Sequence, residues 1–250
     1  MENPYPEFFA RFYDILYSHL RGSEEYEYYL SQILHTQGPV LEIGVGTGRI
    51  FRDAILSKPD IHGIDISPSM LDVLRSHLRN QDKEKISLQD ALHFSFPWKF
   101  ELIIAPFRMF MHLEKKQEQL QALRNIRDHL KDGGRFIFDV FVPDMSLLAN
   151  PLQDVLDFDG EYEKGRMLQR YVSTRPDLIH QIIHVTFLLK WDESGSQQQA
   201  SWEVPMRFFF RYELEHLIER AGFSQYEILG DYSGQPLQSD SKEFIPVCYK

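Results

Sequence analysis

The hydrophobic period of the chain changes along its length. Between residues 38 and 142, short apolar runs alternate with stretches of helical spacing. PVLEIG (39–44), IHGIDI (61–66), KISLQD (85–90), FELIIAPF (100–107) and RFIFDVFV (135–142) read as five strands. Residues 47–57 read as a helix. A second helix starts at Ser67-Pro68, a capping hydroxyl before a proline at the first helical position, and carries Met70, Leu71, Leu74 and Leu78 on one face. A third, over 115–131, turns Leu120, Leu123, Ile126 and Leu130 inward and stops at Gly133-Gly134. Strands alternating with helices predict a doubly wound, mostly parallel sheet with helices on both faces. Residues 6–34 read as two aromatic-rich helices broken near Arg21-Gly22-Ser23, with Ser23 as an ordinary cap.

After residue 142 the period drops to two. Ile183, Val185, Phe187 and Leu189 fall on one face of a strand, and Trp202, Val204, Met206, Phe208 and Phe210 on one face of another. With the turn-forming DESGSQ (192–197) between them, they predict an antiparallel hairpin whose aromatic face belongs to the core. Residues 211–222 return to helix, and YEILGDY (226–232) with EFIPVCYK (243–250) close as a strand pair. The organisation read from this is a helical cover over 1–37, a core over 38–149 with 210–250, and an antiparallel β insert over 150–209.

Composition narrows the function classes. The 37 acidic against 27 basic side chains in 250 residues give a net charge of −10. That balance disfavours nucleic acid and anionic membranes, whose phosphates need clustered Lys and Arg. The single cysteine, Cys248, excludes an intramolecular disulfide framework and a cysteine zinc site. The start, MENPYPEFFARF, lacks the basic head and apolar run of a secretion signal, and no stretch approaches the span of a membrane helix. The chain reads as soluble and cytoplasmic.

The sharpest local signal is Glu42-Ile43-Gly44-Val45-Gly46-Thr47-Gly48, at the end of the first strand. Glycines there let the backbone take positive φ and approach a ligand, and open parallel sheets bind ligands beyond their carboxyl ends. A dinucleotide turn needs a third glycine where this chain has Arg49 or Phe51, and there is no G-K-[ST] phosphate loop. Asp65 ends the second strand, where a carboxylate can accept bonds from both hydroxyls of a ribose. Asp90 ends the third, where it can accept a bond from an adenine amino group bordered by Ala91 and Leu92.

The run VLEIGVGTGR, then GIDIS, LQDAL, FELIIAPF and GGRFIFDVF resembles the successive motifs of the class I S-adenosylmethionine-dependent methyltransferases. FFRYELEHLIERAGF with the GDYSGQPL loop resembles the small-molecule members, and FYDILY the start of sugar-amine and glycine-type N-methyltransferases. The resemblance implies a Rossmann-like, seven-stranded, mostly parallel sheet with an antiparallel last strand. It implies S-adenosylmethionine as cofactor, S-adenosylhomocysteine as product and a small-molecule acceptor methylated at N or O. Glu42, Gly44, Gly46 and Gly48 would line the methionine part. Asp65 would hold the ribose and Asp90 the adenine amine, with Ile66, Met70, Ala91 and Leu92 against the adenine. Pro106 and Phe107 would face the methyl group. Tyr13 and Tyr17 would cover the cofactor, Tyr13 being also a catalytic candidate. The fourth strand ends APFR rather than Asn/Asp-Pro-Pro-Tyr, which argues against amide and nucleobase nitrogens.

In such a reaction the cofactor carries the reactive methyl, and the protein aligns the acceptor, a contribution worth about 7–11 kcal/mol. His112, in FRMFMHL after the fourth strand, is the candidate base. Arg108 and Arg207 are candidates for gripping an acidic acceptor. His180 and His184 lie four apart on an apparent strand without an evident third ligand, which argues against a metal. The insert hairpin faces either the mouth of the site or a partner subunit, as in a homodimer. Two other readings stand beside the transferase: a nicotinamide-dependent oxidoreductase, and a cofactor-binding protein without catalytic activity.

Overall fold

The computed structural model describes residues 5–20, 22–193 and 195–250. Met1–Pro4 of the N-terminal stretch, Arg21 of the expected helix break and Ser194 of the expected hairpin turn lie outside the described residues. Two aromatic-rich helices, α1 (Glu7–Leu20) and α2 (Glu24–His35), come first. Ser23 precedes α2 but its hydroxyl makes no capping bond.

The α/β core follows as β1 (Val40–Ile43), α3 (Phe51–Ser57), β2 (Ile61–Asp65), α4 (Pro68–His77), β3 (Ile86–Leu88), β4 (Phe100–Ala105), α5 (Lys116–His129), β5 (Leu130–Phe138), β6 (Val140–Phe141) and α6 (Met145–Ala149). A second set of strands, β7 (Val155–Glu163), β8 (Arg166–Asp177), β9 (Ile182–Glu193) and β10 (Ser196–Arg207), precedes α7 (Arg211–Arg220), β11 (Gln225–Leu229) and β12 (Glu243–Tyr249). The main sheet runs β11–β12–β5–β4–β1–β2–β3, with β6 paired to β12. β1 through β5 pair in parallel, and β12 runs antiparallel to both β5 and β11.

Local chemistry sets the boundaries. Ser67 Oγ accepts the Met70 N–H at 3.4 Å with Pro68 at the first position, so α4 starts where the cap and proline predict. The helix expected from residue 47 begins only at Phe51, because Gly48 sits at φ +83°, outside helical backbone. The helix expected to 131 ends at His129. Leu130 leaves it with extended backbone, pairs with Phe100 and is fully buried, so the glycine pair lies inside the start of β5 rather than at the helix end.

The period-two segment is larger than its sequence pattern suggested. β10–β9–β8–β7 form a four-stranded antiparallel sheet, of which only the β9–β10 pair is evident from alternation. β7 and β8 carry mostly polar side chains with two register shifts between them, which blurs the apolar repeat. One face of this sheet packs on α1. Phe9 meets Trp202 at 4.6 Å and Phe187 at 5.2 Å, and Phe12 meets Trp191 at 5.5 Å between ring centroids. Helix α1 therefore lies between the second sheet and the carboxyl edge of the first.

Candidate active site

At the end of β1 the chain turns back through Gly44, Gly46 and Gly48, all at positive φ. The N–H groups of Gly44 and Val45 donate to the Ile64 carbonyl of β2 at 2.8 and 3.0 Å. A Cβ on Gly48 would lie 2.3 Å from Leu74 Cδ1, so that glycine serves packing against α4. A Cβ on Gly46 would meet only Met70 Cε at 3.6 Å and the Gly44 carbonyl at 3.9 Å, so its bare face opens onto a cavity.

Asp65 fixes that turn. Its Oδ2 accepts the Gly46 N–H at 2.8 Å and its Oδ1 the Ser67 N–H at 2.7 Å. Burial raises its pKa, and the backbone donors of Ser67, Gly46 and Ile66 pull it back. A carboxylate offers about four lone-pair sites, so these neutral backbone donors leave it room for a ligand. Asp90, just beyond β3, accepts the Leu92 N–H at 2.9 Å. Gly46, Asp65 and Asp90 line one cavity of about 590 Å³, together with Tyr13, Gly44, Ile66, Met70, Ala91, Pro106, Phe107 and His112.

Other expected positions fall elsewhere. Leu92 packs against the main core, Gly48 against Leu74, and Tyr17 lines a neighbouring cavity. Glu42 lies beneath the glycine turn, in a pocket of only about 30 Å³ beside Arg49. Desolvation pushes its carboxyl up to about 8 against the pull of Arg49, and its Oε2 has no partner. Arg49 is itself paired with Glu25 at 2.7 Å, its guanidinium 5.0 Å from the Phe107 ring centroid. Asp14 of α1 accepts the Thr47 hydroxyl at 2.5 Å and pairs with Arg52 at 3.1 Å, which ties the helical cover to the glycine turn.

Beyond β4 the backbone is strained. Phe107 and Arg108 sit at φ +61° and +63°, in the left-handed region that bulky side chains avoid. This bend delivers the short turn Met109–His112 to the junction of the two cavities. Burial pushes the His112 imidazole down to about 4, so it is neutral at physiological pH. Its Nε2 lies 3.3 Å from the Tyr5 hydroxyl. Tyr5, Phe107, His112, Trp202 and Val204 line both cavities. The second cavity, of about 430 Å³, lies between the core and the inner face of the antiparallel sheet. Trp202, expected in the core, is thus also a cavity wall.

The two candidate anion-binding arginines are already engaged. Arg108 pairs with Glu243 at 2.7 Å at the second cavity, and Arg207 with Glu213, lining neither cavity. His180 and His184 bind separate carboxylates, Asp177 at 2.8 Å and Glu203 at 3.1 Å.

A methyltransferase-domain family model matches residues 40–134, the stretch that carries the glycine turn, Asp65 and Asp90. The match supports the class I S-adenosylmethionine-dependent methyltransferase superfamily. This methyltransferase is 24% identical to the cypemycin N-terminal methyltransferase of Streptomyces sp over 83% of the chain and 81% of that protein. It is 21% identical to the putative methyltransferase YqeM of Bacillus subtilis over 95% and 94%. In fold it is similar to DesVI of Streptomyces venezuelae (TM-score 0.75, 20% identity, 96% and 97% covered). The sugar N-methyltransferase KedS8 of Streptoalloteichus sp is similar too (TM-score 0.75, 17% identity, 95% and 93% covered). The methyltransferase matches set aside the oxidoreductase reading, which Arg49 and Phe51 already disfavoured. No helix among the described residues is long and apolar enough to cross a membrane.

Two positions at the site escaped the sequence reading. Tyr5 lies outside every motif. Asp139 interrupts the apolar run RFIFDVF and is fully buried, a signal that alternation counts overlook.

Proposed function

We propose that the methyltransferase moves a methyl group to an N or O atom of a small molecule held in the second cavity, with the cofactor in the first. What carries this reading is that Gly46, Asp65 and Asp90 share one cavity, which meets a second at His112. The first cavity suits an adenosyl group. Gly46 leaves its floor open, Asp65 keeps acceptor capacity for ribose hydroxyls, Asp90 offers a carboxylate near Ala91, and Ile66 and Met70 give apolar contact. When bound, S-adenosylmethionine supplies a methyl group already activated on a sulfonium.

The remaining work falls to this chain. Tyr13 and Phe107 enclose the cofactor side, and Trp202 and Tyr5 form the wall toward the acceptor. His112, neutral and buried, can accept a hydrogen bond from an acceptor N–H or O–H and orient its lone pair. The N-methyltransferase names of the cypemycin enzyme and KedS8 support nitrogen as the first atom to test.

Titration calorimetry with S-adenosylmethionine and S-adenosylhomocysteine tests the first half, and heat from both is expected. Absence of heat at near-millimolar ligand counts against it. Mass spectrometry over amines, alcohols and acids tests the second half; cofactor binding without any methylated product would favour a silent binding protein.

A further inference from the structure

We propose that the body of the acceptor is uncharged and mainly hydrocarbon, because the second cavity presents an apolar wall and no uncompensated charge in its interior. This rests on the reading that the second cavity holds the acceptor.

The wall is a product of strand register. Ile183, Val185 and Phe187 of β9 stand directly opposite Met206, Val204 and Trp202 of β10, and all six line the cavity. Alternation puts them on one face, so the sheet offers a three-by-two apolar array. Facing elements add Phe141, Val142, Leu148 and Leu152.

The charged groups are neutralised within the protein. Arg170, 4% exposed, donates from Nε and Nη2 to both Asp157 oxygens at 2.9 and 2.7 Å. Its guanidinium lies 4.9 Å from the Phe187 ring centroid and 5.3 Å from that of Tyr17, so the fork that would grip a carboxylate is filled. Arg108 is neutralised by Glu243. The other charged residues of the lining, Asp144 and Lys242, are exposed. A charged acceptor placed deep in this cavity would lose its water and gain no counter-ion. Buried Arg170 Nη1 and Arg108 Nε lack partners, as does Glu243 Oε2, which leaves two donors and one acceptor for neutral polar groups. A densely hydroxylated molecule would leave most of its groups unpaired against the apolar wall.

The test uses the full chain saturated with S-adenosylhomocysteine and three probes in calorimetry: 2-naphthol, neutral at pH 7, its anionic counterpart naphthalene-2-sulfonate, and uridine diphosphate glucose. Measurable binding of 2-naphthol is expected, with both anions weaker by about tenfold or more. Ile183→Trp, which fills the cavity, and Val185→Glu, which places a charge in it, should each weaken 2-naphthol by at least about tenfold. Their cooperative melting and unchanged S-adenosylhomocysteine affinity would show that they fold. The proposal is overturned if 2-naphthol does not bind, if either anion binds as tightly, or if both folded variants retain 2-naphthol affinity. Failure of S-adenosylhomocysteine to bind would instead remove the cofactor assignment; the same three probes on the ligand-free chain would still decide the character of the second cavity.

Discussion

Asp139 holds the bend beyond β4: its Oδ2 accepts the backbone N–H of Arg108 at 3.0 Å, while its Oδ1 accepts the Tyr29 hydroxyl at 2.7 Å. One buried carboxylate thus links α2 to the two left-handed residues that aim Phe107 and His112 at the cavity junction. Asp139→Ala leaves the buried Tyr29 hydroxyl and the half-buried Arg108 N–H unpaired, at about 1–3 kcal/mol for the buried donor and less for the other. Urea unfolding should show that loss. Because the strained bend loses its anchor, turnover should fall further than cofactor affinity. Equal losses in both, or a neutral effect on stability, would remove Asp139 from this role.

Glu42 gives the fold a pH signature. Burial pushes its carboxyl up to about 8 from an ordinary 4.5. Between those values the folded chain keeps a proton that the unfolded chain has released. The contribution of Glu42 to stability is therefore fully present below the unfolded pKa and declines as pH rises toward 8, by at most about 1.4 kcal/mol per pH unit. Glu42→Gln removes the titration, so its stability relative to the parent chain should improve steadily between pH 5 and 8 in urea melts. A pH-independent difference would mean that Glu42 is ionised in the folded state.

The imidazole of His112 works in the opposite sense. Folding holds it down near 4 from an ordinary 6.5, so the folded chain carries the smaller proton load between these values. Its contribution to stability is therefore lost as pH falls from about 6.5 toward 4. A nuclear magnetic resonance titration should place its midpoint well below the ordinary 6.5. His112→Ala should cut kcat by roughly a hundredfold while cofactor affinity changes little. Tyr5→Phe, which removes the hydroxyl 3.3 Å from Nε2, should raise the acceptor KM more than it lowers kcat. Cofactor affinity falling as steeply as kcat would place His112 in the cofactor cavity's framework rather than beside the acceptor.

Much of this was legible in the sequence because it is local. The glycine turn, Asp65 and Asp90 each end a short apolar run, and strand-end position places them on one sheet edge without knowledge of long-range packing. What alternation left out is built across the chain. The Tyr5–His112 contact spans 107 residues and the Tyr29–Asp139 bond 110, and no spacing rule brings such pairs together. The apolar face of β10 looked like core because a cavity wall and a packed core require the same side chains. Alternation does not show β7 and β8 because Arg170, Asp157 and Gln169 break their apolar pattern, and Arg170 is buried by pairing with Asp157 and packing on Phe187 and Tyr17.

The coupling of Asp65 to Gly46 allows the cofactor assignment to be separated from a purely structural role. Asp65 binds the turn through two backbone N–H groups and faces the cavity with its remaining acceptor capacity. Asp65→Ala removes both functions and should weaken S-adenosylmethionine binding by about 1–3 kcal/mol, with some loss of stability. Asp65→Asn keeps one carbonyl acceptor and should recover part of the stability, yet its amide end would meet ribose hydroxyls without the acceptor strength of a carboxylate. Gly46→Val adds a branched side chain at φ +56°, pointing into the cavity beside Met70. It should block the cofactor while thermal unfolding stays cooperative. If Asp65→Asn and Asp65→Ala lose stability as expected but both bind S-adenosylmethionine like the parent, the carboxylate serves only the turn, and the ribose must be held elsewhere.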